Sequence, residues 1–361
     1  MNPREALVAL NLIRDIGPAT IRRLLDMFGD APAILRAPER ELGGVEGIGP
    51  ARARAIARWE QSVDLQGELG RVRDFGAQVI TVLDSGYPLL LKQIHDPPIV
   101  LYVIGQLAAE DDHAVAMVGT RMVTQYGRAA AHQLAGQLAR AGLTIISGGA
   151  RGVDTASHEG ALSVYGRTIA ILGTGLDIVY PSENADLFKR ISSHGAVITQ
   201  FPFGRRGDKQ SFPIRNRIVA GMARATVVVE ANRASGALIT ANFAAEYGRA
   251  VFAIPGRIDN PRSTGCHDLI RDGAQLCAGP EHVLEEFDTL FASNQIEKKP
   301  LPQLTSDEKA VYGKLTHDER PLDAIVHQTG LTVPKVTVAL LQLELKHLAK
   351  QFPGRLFAKK R

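Results

Sequence analysis

Short apolar runs and longer mixed stretches alternate with little interruption between residues 114 and 255. The runs at 114–118, 143–147, 168–172, 196–199, 225–230 and 250–254 are rich in β-branched residues and apolar along most of their length, with no strict alternation of polarity. That pattern predicts strands covered on both faces, as in a parallel sheet. The stretches between them predict helices. Thr124 can cap one that runs to about residue 141, where Gly142 ends it. Strand and helix in regular succession predict an α/β fold with a doubly wound parallel sheet.

Outside this block the rhythm changes. Ile16-Gly17-Pro18-Ala19-Thr20-Ile21 is echoed by Ile48-Gly49-Pro50-Ala51-Arg52-Ala53. Each copy opens a helix with proline in the first turn, where the missing N–H costs little. This is the helix-hairpin-helix pattern, and residues 1–64 are expected to form a small helical domain. Such hairpins either offer turn amides to nucleic-acid phosphates, with Arg22, Arg23, Arg52 and Arg54 nearby, or act as packing modules, and the pattern allows both. Residues 84–102 contain Pro88, Pro97 and Pro98 and read as a linker plus an edge strand, within a core domain of residues 65–292. The polar stretch 293–303 reads as an interdomain linker. Three helical patterns near 307–315, 322–329 and 333–349, followed by a small hairpin, predict a winged helix over 304–361. Domains of that kind read duplex DNA with the third helix or bind protein.

Composition adds bounds. A chain of 361 residues with 45% hydrophobic content can bury a sizeable core and holds two or three domains. A formal charge of +4 permits a polyanionic partner without requiring one. Cys266 and Cys277 are the only cysteines, and no Cys-x-x-Cys or His-Glu-x-x-His occurs, so neither a disulfide framework nor a metal site is indicated. The N-terminus lacks a long apolar run and no later run is long enough to span a bilayer, which predicts a soluble, cytoplasmic protein without a membrane partner.

The candidate chemistry lies in loops that follow the predicted strands. Val118-Gly119-Thr120-Arg121 and Ser147-Gly148-Gly149-Ala150-Arg151-Gly152-Val153-Asp154 each join a strand to a helix and each carry an arginine. At the carboxyl edge of an open α/β sheet, glycines let backbone approach an anion and helix N-termini point amides at it. A phosphate-bearing ligand follows, although a glycine after a strand can serve the turn alone. Neither loop is a Walker A sequence, and neither is a Gly-x-Gly-x-x-Gly, which disfavours an ordinary dinucleotide site. Residues 173–181 and 231–240 form further loops on the same edge. Residues 201–217 interleave Arg205, Arg206, Lys209, Arg215 and Arg217 with Phe201, Phe203 and Phe212. Cations beside flat aromatic faces suit a single-stranded nucleic acid; a solvated loop with its phenylalanines turned inward is the other reading.

Several of these motifs occur together and in order: Tyr87-Pro88 with Asp96-Pro97-Pro98, Val118-Gly119-Thr120-Arg121, the Ser147 to Asp154 loop, Gly175-Leu176-Asp177 with Tyr180-Pro181, Phe212-Pro213-Ile214-Arg215-Asn216-Arg217, Ser235-Gly236 with Leu238-Ile239-Thr240, and Pro255-Gly256. Over residues 80–275 the chain resembles the DNA-processing protein A family (DprA, also called Smf). The resemblance implies an extended Rossmann-like core flanked by a helical, sterile-alpha-motif-like N-terminus and a winged helix. It implies a non-enzymatic protein without cofactor that binds and protects single-stranded DNA and loads RecA recombinase during natural transformation, as a homodimer with Leu269 and Ile270 at the contact. Carried over by motif, the DNA contacts become Gly119, Thr120, Arg121, Ser147, Gly148, Gly149, Arg151, Gly152, Arg167, Arg215, Asn216, Arg217, Ser235 and Gly236. The chain departs from the family pattern at Arg167, where Gly-Lys-Thr is common, and at Thr199-Gln200, Ala237 and His267.

Two other functions compete. Related Rossmann-like proteins cleave nucleotide N-glycosidic bonds through a Pro-Gly-Gly-x-Gly-Thr-x-x-Glu loop, which is absent here, so Glu230 or Asp154 would have to act as acid or base. Alternatively the winged helix, with Lys335, Lys346 and Lys350, would make the protein a duplex-DNA regulator, although the leucines of that helix claim much of its surface for a core.

Overall fold

A computed structural model describes residues 1–287, 304–316, 320–346, 348–352, 354 and 356–359. The chain divides into two compact units, Met1–Ala292 and Ser293–Arg361.

The first unit is built on a nine-stranded sheet in the order β1-β2-β6-β5-β4-β3-β7-β8-β9. Its strands are β1 (Gln78–Thr81), β2 (Val100–Gly105), β3 (Ala114–Val118), β4 (Thr144–Ser147), β5 (Thr168–Ile171), β6 (Gly195–Thr199), β7 (Ala225–Val228), β8 (Ala250–Ala253) and β9 (Gln275–Leu276). From β6 to β9 every neighbouring pair is parallel, and β2 runs antiparallel to both β1 and β6. All six strands expected from the apolar runs form. The edge strand expected within 84–102 is corrected: β2 lies inside the sheet because β1, formed by residues ahead of that stretch, pairs along its outer side.

Both faces of the sheet are covered. Val115 and Met117 of β3 pack under α8 (Gln125–Arg140) and α9 (Val153–Leu162), while Ala114, Ala116 and Val118 pack under α11 (Ser211–Gly221) and α12 (Gly236–Glu246). Alternate residues of a strand point to opposite faces, so two covered faces require a continuous apolar run. Thr124 accepts from the Gly127 amide at 3.0 Å and caps α8, as its position predicts.

The helical N-terminus contains α1 (Pro3–Leu12), α2 (Pro18–Phe28), α3 (Ala31–Arg36), α4 (Glu39–Leu42) and α5 (Pro50–Ala57), and the two Gly-Pro repeats open α2 and α5. It is not a separate body. A single apolar cluster runs from Leu7, Leu10 and Trp59 through Tyr102 and Leu172 to Phe188. A segment this short buries a smaller share of its surface than a large domain does and gains by sharing a core. Polar contacts fix the join: Asn11 Nδ2 donates to the Gln200 carbonyl at 3.1 Å and Arg22 to the His95 carbonyl at 2.6 Å. The remaining helices are α6 (Leu65–Asp74), α7 (Leu89–Lys92), α10 (Ala185–His194), α13 (Thr264–Arg271) and α14 (Pro280–Leu284).

The second unit has α15 (Ser306–Lys314), α16 (Leu322–Thr329) and α17 (Val333–Leu345), with β10 (Arg320–Pro321), β11 (Ala349–Phe352) and β12 (Leu356–Lys359) in the order β10-β12-β11. Val311, Ile325, Leu340 and Leu343 centre its core, which is the winged helix expected. The linker expected at 293–303 lies outside the described residues. Among the described residues no single helix is long and apolar enough to cross a membrane.

Candidate nucleic-acid interface

The carboxyl ends of β3, β4 and β7 open into a cavity of about 360 Å³. Its walls are the loop after β3, the loop after β4, the segment 232–236 that enters α12, and the first turns of α11. The loop after β3 is held from below. A Cβ at Gly119 would collide with Val153 and the Glu230 carbonyl, so only glycine lets the chain pass there. The Thr120 amide donates to the Glu230 carbonyl at 2.7 Å. The buried Glu230 carboxylate accepts from the Thr124 amide at 2.9 Å and from the Thr124 hydroxyl at 2.5 Å. Glu230 thus pins the mouth of the cavity.

The cations divide by burial. Arg121 is exposed and its guanidinium lies 5.0 Å from the centre of the Phe212 ring, with no ion pair among the described residues. The same ring lies 5.7 Å from that of Tyr180, which is half exposed. Arg215 is 4% exposed and donates to the carbonyls of Gly148 and, at 2.6 Å, Ile171, while its Nε donates to Asn216 Oδ1 at 3.1 Å. Burial lowers its pKa to about 10 against the pull of Asp154, so it stays charged at neutral pH. Burial raises the Asp154 carboxyl above its usual range, opposed by Arg215 and by the Ala150 amide, which donates to it at 3.1 Å. The floor of the cavity is therefore a balanced buried set, and the charge left for a ligand is Arg121 at the rim.

Of the residues expected at the site, Gly119, Thr120, Arg121, Gly148, Arg215, Asn216, Ser235 and Gly236 meet around this cavity. Asn216 Nδ2 donates to the Gly236 carbonyl at 3.1 Å, and Ser235 caps α12. The others stand elsewhere. Ser147 is fully buried and donates to the Met117 carbonyl at 2.6 Å. Gly149 packs against Phe188 with φ 66°, and Gly152, with φ 81°, sits where a Cβ would strike the Thr120 carbonyl. Both are needed for the backbone path. Arg151 is exposed but bidentate on Glu183, with the Nη2 contact at 3.0 Å. Arg167 precedes β5 and so lies at the amino edge, opposite the cavity, gripping Asp111 at 2.6 and 2.7 Å. Its expected place at the site is corrected on that ground. Arg217 is likewise removed from this cavity, because residues two apart on a helix do not share a face; it lies 3.7 Å from Asp96. Leu269 and Ile270 lie half-buried on α13.

The hairpin arginines are committed to their own chain: besides Arg22, Arg23 donates to the Glu46 carbonyl at 3.0 Å, Arg52 to the Gly47 carbonyl at 3.1 Å, and Arg54 pairs with Glu39 at 3.4 Å. Met122, Asn232 and Thr240 also line the cavity and were not among the expected contacts, although Asn232 and Thr240 lie within the 231–240 loop read onto this edge and Met122 directly follows Arg121.

The chain is similar to known proteins over both of its units. Residues 78–288 match the family described as DNA recombination-mediator protein A, and residues 295–355 match the DprA winged helix domain. Protein Smf of Synechocystis sp. is 32% identical, over 96% of each chain. The crystal structure of DNA processing protein A from Streptococcus pneumoniae is similar with a TM-score of 0.70 and 34% identity, over 78% of this chain and 97% of that one. DNA processing protein A from Helicobacter pylori, described for its single-stranded DNA binding mode, is similar with a TM-score of 0.53 and 30% identity, over 60% of this chain and 98% of that one.

Proposed function

We propose that this chain, which belongs to the DNA recombination-mediator protein A (DprA/Smf) family, holds single-stranded DNA at the carboxyl edge of its sheet. The observation that carries the reading is the exposed Arg121 guanidinium over the Phe212 ring, at the mouth of a cavity floored by backbone and a balanced buried charge set. A cation set beside an aromatic face can bind a phosphate and stack a base, which is what a strand needs in the absence of sequence readout.

The family resemblance extends the proposal to protecting a strand and delivering it to RecA recombinase during natural transformation, by a cytoplasmic homodimer joined near Leu269 and Ile270. Catalysis forms no part of the proposal. The two carboxylates open to a glycosidic hydrolase are engaged within the chain, Glu230 by Thr124 and Asp154 by Ala150 and the field of Arg215. The winged helix supplies little support for duplex reading: Lys346 is bound to Glu308 at 2.7 Å, and Val338 and Leu341 occupy the outer surface of α17.

A titration with single-stranded and duplex DNA of equal length tests the reading, and clear preference for the single strand is expected. Equal or stronger duplex binding would overturn it. Release of free base from nucleoside monophosphates, abolished by Asp154→Ala, would replace it with hydrolysis.

A further inference from the structure

A second cleft, of about 1250 Å³, adjoins the first cavity. Pro213 lines both, so only the first turns of α11 separate them. One wall comes from the turn between α1 and α2, including Gly17 and Pro18, and the other from the loop 200–208 with α11. The cleft is a built feature of one compact unit. The Phe203 amide donates to the buried Glu68 carboxylate at 3.0 Å, and the Gly204 amide to the Asp177 carboxylate at 2.9 Å. The opposite wall is tied to the loop through Asn11 and Gln200.

Four arginines, Arg14, Arg205, Arg206 and Arg217, and three aspartates, Asp15, Asp96 and Asp208, line the cleft. Pairing decides what charge they present. Arg205 holds Asp208 at 2.5 Å, and Arg217 lies 3.7 Å from Asp96. Arg14, Arg206 and Asp15 are exposed and have no hydrogen-bond or ion-pair partner among the described residues, so the unpaired charge of the lining is one net positive, carried by two arginines against one aspartate. Phe203 and Phe243 add aromatic surface to the same cleft.

The size of the first cavity points the same way. About 360 Å³ is near the low end of small-molecule pockets, roughly 300–1,000 Å³, whereas single-strand-binding domains cover about 4–16 nucleotides. From this juxtaposition we infer that a strand seated at Arg121 continues over Pro213 into the second cleft, where Arg14 and Arg206 bind its phosphates. The helical N-terminus then forms part of the DNA site through the α1–α2 turn. The inference rests on the single-strand reading of the first cavity.

The test uses the full chain and thymidine oligonucleotides of about 4 and about 16 nucleotides, the bounds of a single-domain site. The double variant Arg14→Ala/Arg206→Ala is expected to bind the short oligonucleotide within about twofold of the parent and the long one about tenfold more weakly. Its log affinity against log salt slope for the long one should fall by about 1.4, two single-strand phosphate contacts at about 0.7 each. Thermal stability should not change, and Arg14→Lys/Arg206→Lys should recover most of the loss because charge is retained. Unchanged long-oligonucleotide affinity and slope, or equal losses on both lengths, would overturn the continuation while leaving the first cavity as the site. Failure of the parent protein to bind either length would instead refute the single-strand reading itself.

Discussion

Arg215 and Arg217 stand two residues apart on α11 and face different cavities, the first bonded to the carbonyls of Gly148 and Ile171, the second set beside Asp96. Arg215 is therefore a strut under the cavity floor. Its removal would leave two carbonyls without their donor and Asp154 buried without its balancing charge. Arg215→Ala is expected to cost on the order of 3–5 kcal/mol in denaturant unfolding. Arg215→Lys should recover only part, because an ammonium cannot reproduce the planar fork. A variant of parental stability that had lost only DNA affinity would show that Arg215 contacts the strand directly.

Arg121 has the opposite character: its guanidinium rests on the Phe212 ring and has no ion-pair partner among the described residues. Arg121→Ala should weaken single strands of any sequence and lower the log affinity against log salt slope by about 0.7, the single-strand value for one phosphate. Arg121→Lys should restore part of the affinity. The melting temperature should stay near the parent's, because among the described residues no carboxylate is ion-paired to this guanidinium and its field on Asp154 is weaker than that of Arg215. A fallen melting temperature with an unchanged slope would move Arg121 from ligand to scaffold.

The contrast between these arginines marks how far the sequence is legible. The strands could be read because a sheet covered on both faces demands uninterrupted apolar runs, and Val115, Ala116 and Met117 satisfy two different layers within three positions. The edge that carries the cavity could be read because Gly119 and Gly148 follow strand ends. Arg215 and Arg217 look equivalent in a line of letters, and only helical geometry sends them to opposite sides. The clamp of Glu230 on Thr124 links residues 106 positions apart, and its existence depends on β3 and β7 being neighbours. Nothing local encodes that order. The place of Arg167 was readable in principle, since a residue that precedes a strand lies at the edge away from the loops that follow parallel strands.

Arg167 accordingly belongs to stability. It is bidentate on the buried Asp111 and also donates to the Gln106 carbonyl at 2.6 Å. Arg167→Ala is expected to destabilise the fold by about 1–3 kcal/mol, the cost of a buried acceptor left partly unsatisfied. Single-strand affinity and its salt slope should remain those of the parent when measured well below the melting temperature. A reduced slope in a fully folded Arg167→Ala protein would return this residue to the DNA path.

His158 makes stability depend on pH from beneath the site. It is fully buried in α9, with Nδ1 at 2.7 Å from the Thr168 hydroxyl and no partner for Nε2 among the described residues. The Thr168 hydroxyl gives its one proton to the Ile145 carbonyl at 2.7 Å, so it accepts from His158, and the neutral ring carries its proton on Nδ1. Burial, aided by the charge of Arg215, lowers the imidazole pKa from 6.5 to about 3. Because the folded value is depressed, the contribution is complete above pH 6.5 and is lost as pH falls toward 3, the unfolded chain binding the extra proton in between. The loss approaches about 1.4 kcal/mol per pH unit within that window. Asp154, whose pKa is raised, acts with the opposite sign, so the parent alone does not isolate the histidine. Comparison with His158→Gln does, because the carboxylate contributions largely cancel in the difference. Urea unfolding of the two proteins at pH 7 and pH 5 should show the stability difference shifting by about 1–2 kcal/mol in favour of the variant at the lower pH. Parallel stability curves would mean that His158 titrates as an exposed imidazole and that the layer beneath Arg215 is open to water.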